Sequence, residues 1–226
     1  DGQVLTADIE GVTQLNVNSK NIADLTGIEG FIALTELRIN NNQLTSLDVS
    51  NNPALTELRI NNNQLTSLDV SNNPALTRLE CRSNQLSSLD VSNNIALNFL
   101  QCYSNQLTSL DVSNNTALTF LNCNTNQLTS LDVRNGNNTA ITSFNASSNP
   151  DLTCIFVDDI SYSNANWTVI SSNSYFVENE AECSNPSLLY TAIPDENFEQ
   201  ALIDLGIDTN PTIDGQVLTA DIEGVT

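Results

Sequence analysis

The chain contains no histidine and no methionine in 226 residues. Without histidine it lacks the side chain that titrates near neutral pH and ligates metals most often, so chemistry built on imidazole is excluded. Without methionine there is no initiator, and the sequence reads as a segment of something longer or a processed product. Basic residues are scarce: six Lys and Arg stand against 27 Asp and Glu, for a net charge of −21. That balance argues against nucleic acid and against anionic membrane surfaces, both of which need clustered cations. It suits a soluble extracellular or divalent-rich setting. No signal peptide and no run of eighteen apolar residues is present, so no membrane insertion is expected.

What the chain does have is repetition. LTELRINNNQLTSLDVSNNPA begins at Leu34 and recurs unchanged at Leu55. Further copies start at Leu76, Leu97, Leu118 and, after a longer turn at Gly136-Asn137-Asn138, at Ile141; a degenerate copy starts at Val12. A fixed period of this length means stacked units. Within a unit, Leu37/Ile39 and Leu47/Val49 alternate with polar residues, the period-two signal of extended chain facing inward. The unit is nearly two halves sharing L-x-x-L-x-(I/V)-x-x-N, so each coil should give two short strands on opposite faces and two corners. Asn42, Asn63, Asn84, Asn105 and Asn126 fall at one corner, and Asn52, Asn73, Asn94 and Asn115 at the other. Amides there can satisfy backbone groups that a tight turn strands. One coil cannot fold alone, because burying six aliphatic side chains returns less than ordering its backbone costs. Stacking supplies the missing burial.

The pattern L-x-x-L-x-(I/C)-x-x-N-x-L-x-x-L-D-V-x-x-N resembles the short bacterial leucine-rich repeats with a 21-residue period, the IRREKO type. The resemblance covers residues 12 to about 157. It implies a β-rich solenoid with short parallel strands on two faces, secretion and surface attachment in Bacteroidetes, and cysteine at the positions of Cys81, Cys102 and Cys123. Those three lie one coil apart and face inward, so they read as packed thiols acting as small hydrophobes. Neighbours in register on parallel strands would bridge only with strain. Cys154 and Cys183 flank the end of the solenoid, and in an extracellular protein a disulfide between them would close the C-terminal cap.

In chain order, residues 1–11 read as a cap strand and 12–151 as seven coils. Residues 152–183 read as a C-terminal cap in which Trp167, Phe156, Tyr162, Tyr175 and Phe176 cover the core, resembling caps of secreted Bacteroidetes repeat proteins. Residues 184–189 read as a linker. Residues 190–226 follow, where Pro194, Asp195, Glu196 and Gly206 bound a helix with Phe198, Ala201, Leu202 and Leu205 on one face. This segment resembles the cap that precedes such repeats. Residues 214–226 repeat 1–13 without change, a period of 213 residues. The window is either cut from a tandem array or rearranged with overlapping ends. In either case the helix is expected to cap the next domain or molecule and not the coils before it.

The outward residues of the first strand vary while the frame stays fixed. Arg38, Arg59, Arg78, Arg82, Phe99, Tyr103 and Phe120 form a candidate ligand-binding face, since exposed aromatics and arginines anchor recognition surfaces. The competing reading is that they only stack and pair to stabilise the sheet. On the opposite face Asp48, Asp69, Asp90, Asp111 and Asp132 stand about 4.8 Å apart. Hydrogen bonds to neighbouring hydroxyl and backbone groups explain them better than a calcium ladder, for which Asp69, Asp90 and Asp111 are the candidates. Asp208, Asn210 and Asp214 make a second oxygen-rich loop without the glycine of an EF-hand. No other cofactor is expected.

Three functions compete. The first is a non-enzymatic extracellular module of a cell-surface adhesin or filament that binds protein or glycan. The second is a structural stalk or self-assembling fibre whose partner is itself, end to end through the segment 190–226. The third is an enzyme on a parallel solenoid, which lacks histidine, a cleft built by inserted loops, and an acid–base pair.

Overall fold

The computed structural model describes residues 4–185, 190–193, 195–208, 212–213 and 216–222. Its frame follows from the inward leucines. Leu37, Leu58, Leu79, Leu100 and Leu121 are fully buried, and the residues on either side of each face outward. This alternation produces three-residue strands: β1 (Gln14–Asn16), β2 (Glu36–Arg38), β3 (Glu57–Arg59), β4 (Arg78–Glu80), β5 (Phe99–Gln101), β6 (Ser109–Asp111), β7 (Phe120–Asn122), β8 (Ser130–Asp132) and β9 (Ser143–Asn145). Strands β1-β2-β3-β4-β5-β7-β9 form one parallel sheet, with each coil adding one strand. The register keeps the period, Leu37 opposite Leu58 and Leu58 opposite Leu79. At the longer turn Phe120 meets Ser143, and a 3-10 turn at Asn138–Ala140 after Gly136 absorbs the extra residues.

The second face forms a sheet only in its C-terminal part. Strands β6 and β8 are joined there by β10 (Cys154–Phe156) and β11 (Tyr175–Val177), in the order β11-β10-β8-β6. Two strands in every coil were expected. The second sheet instead grows from the cap, and at the other end the first coil makes the corner after this face with a 3-10 turn, Ile28–Gly30, following Gly27 at φ 106°. The seventh coil closes through β10, so it runs beyond the boundary expected at residue 151. An eighth, irregular turn follows. It passes through α2 (Ile160–Asn166), returns to the first face where the Ala146 N–H donates to the Val169 carbonyl, and ends in β11 parallel to β10. The helix takes the place of an asparagine corner, which is why the sequence period fades there while the hydrogen bonding continues.

Aromatics seal this end. Phe144 stacks on Trp167 with ring centroids 4.3 Å apart, Phe176 packs edge-on against Trp167, and the indole N–H donates to the Ile141 carbonyl at 3.1 Å. A disulfide joins Cys154 of β10 to Cys183 of α3 (Glu180–Ser184).

The two copies of QVLTADI behave alike where local forces decide. Both TADI segments are helical, α1 (Thr6–Ile9) and α5 (Thr219–Ile222). Where a cap strand was expected over residues 1–11, Thr6–Ile9 form a helical turn instead, leaning Ile9 on Gly30, where an added Cβ would lie 2.9 Å from the isoleucine side chain. In the second copy β13 (Gln216–Leu218) finds an antiparallel partner in β12 (Tyr190–Ala192), while the described residues of the first copy before α1, Val4 and Leu5, are in no strand.

Between them lies α4 (Glu196–Asp204), N-capped by the Asp195 carboxylate and ended by Gly206 at φ 69°. Its apolar face differs from the expected one. Leu202 is buried against Ile193 and Val217, while Phe198, Ala201 and Leu205 are exposed, because the two-stranded ribbon covers a single stripe of the helix. The segment also touches the coils before it, against expectation. Leu218 joins the main core, and the Ser161 hydroxyl donates to Asp221. Pro194, Asn210, Asp214 and linker residues 186–189 lie outside the described residues.

Both corners are built by asparagine. The Asn63 side chain accepts from the Leu44 N–H at 3.1 Å and donates to the Ile39 carbonyl at 3.0 Å, both in the preceding coil. Asn42, Asn84, Asn105 and Asn126 repeat these bonds, and Asn149 extends the file. At the other corner the Asn73 amide donates to the Val49 and Asn52 carbonyls at 3.1 and 2.9 Å and is fully buried. The residue before each amide of the first file turns left-handed: Asn41, Asn62, Ser83, Ser104, Thr125 and Ser148 have φ between 52° and 56°. Asparagine tolerates this conformation, whereas a β-branched side chain resists it.

Two substitutions should therefore move stability in opposite directions. Asn73→Ala removes two side-chain hydrogen bonds from the buried Val49 and Asn52 carbonyls, each of which keeps one backbone donor, and should cost about 1–3 kcal/mol. Thr125→Asn should stabilise by an amount on the order of 1 kcal/mol. Urea unfolding midpoints check both.

Candidate functional site

The outward side chains of the first sheet are brought into one strip, and the seven residues expected on it separate into three groups. The first is an ion-pair ladder. Arg38 pairs with Glu36 and lies 3.4 Å from Glu57. Arg59 lies 2.5 Å from Glu57 and 3.5 Å from Glu80, and Arg78 lies 2.7 Å from Glu80. The second is a stack. The Arg78 guanidinium sits 3.6 Å above the Phe99 ring, whose centroid is 4.1 Å from that of Phe120 at an interplanar angle of 12°. The third is a pair at the neighbouring corner, where Arg82 donates to the Tyr103 hydroxyl at 2.5 Å.

Glu80 links the first two groups and was not singled out by sequence reasoning. It is 8% exposed and also accepts from the Asn61 amide at 2.9 Å. Burial works to raise its carboxyl, and the hydrogen bonds from Asn61 and Arg78 with the charges of Arg78 and Arg59 outweigh it, holding the group below its ordinary value. The signal for Glu80 is the swap from Glu-Leu-Arg to Arg-Leu-Glu at the third regular coil, which sets Arg59 opposite Glu80 and Glu57 opposite Arg78.

The strip is thus unlike the rest of the surface. Four of the six basic residues lie on it beside three glutamates, in a chain of net charge −21. Gln101, Asn122, Asn124 and Asn145 border it with half-buried amides. Cation–π and aromatic stacking hold the guanidinium and both rings flat, so little side-chain freedom remains to be lost on binding.

On the opposite face each aspartate is occupied by its own turn. The Asp48, Asp69, Asp90 and Asp111 carboxylates accept from the N–H of Ser50, Ser71, Ser92 and Ser113 at 2.8–2.9 Å. Bonds from the serine side chain and backbone hold Asp48, Asp69 and Asp90 below the usual carboxylate range. Asp132 is taken by Arg134 at 2.6 Å. Among the described residues no group of three or more His, Cys, Asp or Glu is placed to hold a metal ion.

Behind the strip, Cys81, Cys102 and Cys123 form a buried file of free thiols. Burial pushes Cys81 and Cys123 up to about 12 and Cys102 well above its ordinary value, which leaves them protonated and unreactive.

One leucine-lined parallel strand per coil, with asparagine bonding coil to coil, defines a leucine-rich repeat solenoid. Residues 8–115 match the sequence family described as the endo-beta-N-acetylglucosaminidase EndoS LRR domain. The functional domain of InlJ from Listeria monocytogenes, described as including a cysteine ladder, is similar at 35% identity and a TM-score of 0.58, over 78% of this chain and 34% of that one. An internalin, inlF, from the same organism is 26% identical with a TM-score of 0.55, over 78% and 52% of the two chains. Internalin C2 of L. monocytogenes shares the fold at 21% identity and a TM-score of 0.55, over 81% of each chain. The chain thus spans 34% and 52% of the first two structures. No curated protein sequence matches it.

A pH test follows from Glu80. Its folded pKa is depressed, so its contribution to stability is complete above the ordinary value of 4.5 and is lost as pH falls through the lower folded value. The native chain should melt higher than Glu80→Gln at pH 7, and the gap should close in melts taken well below pH 4.

Proposed function

We propose that this chain is a non-enzymatic, extracellular binding module whose first-sheet strip engages a ligand. The observation that carries the reading is the Arg78–Phe99–Phe120 stack with the Arg82–Tyr103 pair beside it, on a strip that gathers most of the chain's cations. Arginine and aromatic side chains held rigid and half-exposed are the composition of protein-binding hot spots. A protein ligand is therefore favoured, and a glycan, stacked on the same rings and bonded by the bordering amides, is the variant of this reading. The strip's net positive charge in an acidic molecule favours an acidic or neutral ligand surface over a basic one. We place the module on a bacterial surface, as part of an adhesin; the similarity to the InlJ domain and inlF of Listeria monocytogenes supports the bacterial part of that reading. No helix among the described residues is long and apolar enough to cross a membrane.

A second reading rests on a separate observation, the recurrence of residues 1–13 at 214–226. It makes the chain a unit of an end-to-end stalk or filament. The two readings are compatible, since the strip runs along the solenoid and the recurrence lies at its ends.

The strip is tested with Phe99→Ala/Phe120→Ala and with Tyr103→Ala, scored on arrays of bacterial and host surface proteins and of glycans. The expected result is loss of bound signal on the order of tenfold or more with an unchanged fold. Undiminished binding by the double variant overturns the proposal, and signal confined to the glycan array selects the glycan variant.

A further inference from the structure

The chain holds a single Asn-Gly step, Asn135–Gly136, in the longer turn that follows β8. Gly136 stands there because the turn needs a left-handed residue, at φ 74°. Asparagine before glycine is also the pair in which the next backbone nitrogen most readily attacks the side-chain amide, since no Cβ crowds its approach. Every other corner asparagine is protected from that attack. Asn52, Asn73 and Asn149 precede Pro53, Pro74 and Pro150, which have no N–H to give up. Asn94 and Asn115 precede the β-branched Ile95 and Thr116. Asn42, Asn63, Asn84, Asn105 and Asn126 each precede a glutamine whose N–H is tied to a carbonyl of the coil before, as Gln64 is to Leu44 at 2.9 Å.

At Asn135–Gly136 the turn supplies what the attack needs. The Gly136 N–H donates to a carboxylate, that of Asp158, at 2.9 Å. Asp158 is held there by the same turn: its own N–H donates to Asn138 Oδ1 at 2.6 Å, and the Asn138 amide donates to the Val133 carbonyl at 2.7 Å. A base is thus fixed on the nucleophile. Asn135 Oδ1 accepts from the Asn137 N–H at 2.9 Å. This bond folds the side chain back along its own following peptide and sets a donor where negative charge would develop. The third contact is the corner bond, from Asn135 Nδ2 to the Asn115 carbonyl at 3.1 Å. Asn135 is buried, while Gly136, Asn137 and Asp158 are exposed, so water reaches the outer side of the turn.

We propose that Asn135–Gly136 is a site of self-catalysed deamidation with Asp158 as its general base. As the Gly136 nitrogen attacks Asn135 Cγ, its proton passes to the Asp158 carboxylate, and the charge that develops on Oδ1 is stabilised by the Asn137 N–H. Collapse of this intermediate breaks the Cγ–Nδ2 bond. Nδ2 leaves as ammonia, taking the proton that Asp158 returns through solvent, and a succinimide ring joins Cγ to the Gly136 nitrogen. Water then opens the ring at either carbonyl, giving aspartate or isoaspartate. The sum is one amide and one water converted to one carboxylic acid and one ammonia, with no further reactant. The product has no donor for the Asn115 carbonyl, so the corner bond between the fifth and sixth coils is lost. That carbonyl keeps the Leu118 N–H at 3.0 Å, so the coil stays closed and the layer next to the cap is loosened. The change runs one way and does not depend on what the strip binds.

Peptide mass mapping of the full-length protein, sampled over time at pH 7, tests this. Position 135 is expected to gain the mass of amide-to-acid conversion as a mixture of aspartate and isoaspartate, ahead of every other corner asparagine. Conversion is expected to be faster in the folded chain than in the same chain unfolded in urea. Asp158→Asn keeps an oxygen that accepts from the Gly136 N–H and is no base. It is expected to slow conversion by about tenfold or more, a part of what a well-placed base contributes, with an unchanged melting curve. Equal rates in the native chain and in Asp158→Asn overturn the role of Asp158. An Asn135 that survives longer in the folded chain than in the unfolded one shows that the fold shields the step, and overturns the proposal as a whole.

Discussion

Every coil of this protein depends on the hydrogen bond from an asparagine side chain to the backbone of the coil before it. A chain that turns twice in 21 residues leaves backbone N–H and carbonyl groups pointing along the solenoid axis, where water is excluded. Asn63 meets one of each with a single amide, and it can do so only because Leu44 and Ile39 lie one layer below. The apolar core has the same property. Leu58 is fully buried only when Leu37 and Leu79 flank it in register. Stability is thus shared between neighbours and belongs to no coil alone.

This dependence explains what could be read from the residues. The coil frame, the inward leucines and both asparagine files were legible because each is fixed by a periodic local pattern. The left-handed residue before each amide was not, since Asn, Ser and Thr all occupy it and no glycine marks it. The eighth turn was hidden because α2 replaces a corner, so the hydrogen-bonded layer persists without its sequence signature. The exposed face of α4 was misjudged for a third reason. Helical spacing shows which residues share a side, and it is silent on whether anything lies against that side. The candidate strip was legible as a set of outward positions. The role of Glu80 became visible only once the register set it between two arginines.

The two faces of the solenoid divide the electrostatic burden. On one, aspartates one layer apart are each satisfied within their own turn, so their mutual repulsion is tolerated in solvent. On the other, glutamate and arginine alternate across coils and end in stacked aromatic rings. A frame that is nearly invariant inside can therefore carry different outward residues from coil to coil, because changing them leaves the asparagine files and the leucine layers untouched. Variation on the first strand is cheap for the fold, and that is the condition for a surface to be tuned to a partner.

The cross-link between Cys154 and Cys183 lies at one end of this one-dimensional stack, and the other end is a strand edge over a half-covered core. A stack held by nearest neighbours comes apart from its weaker terminus. Under a pulling force the coils held by their neighbours alone release before the covalently locked one, layer after layer, each release lengthening the chain by one repeat. The molecule therefore has a mechanical direction, yielding in even steps from one side and holding fast at the other.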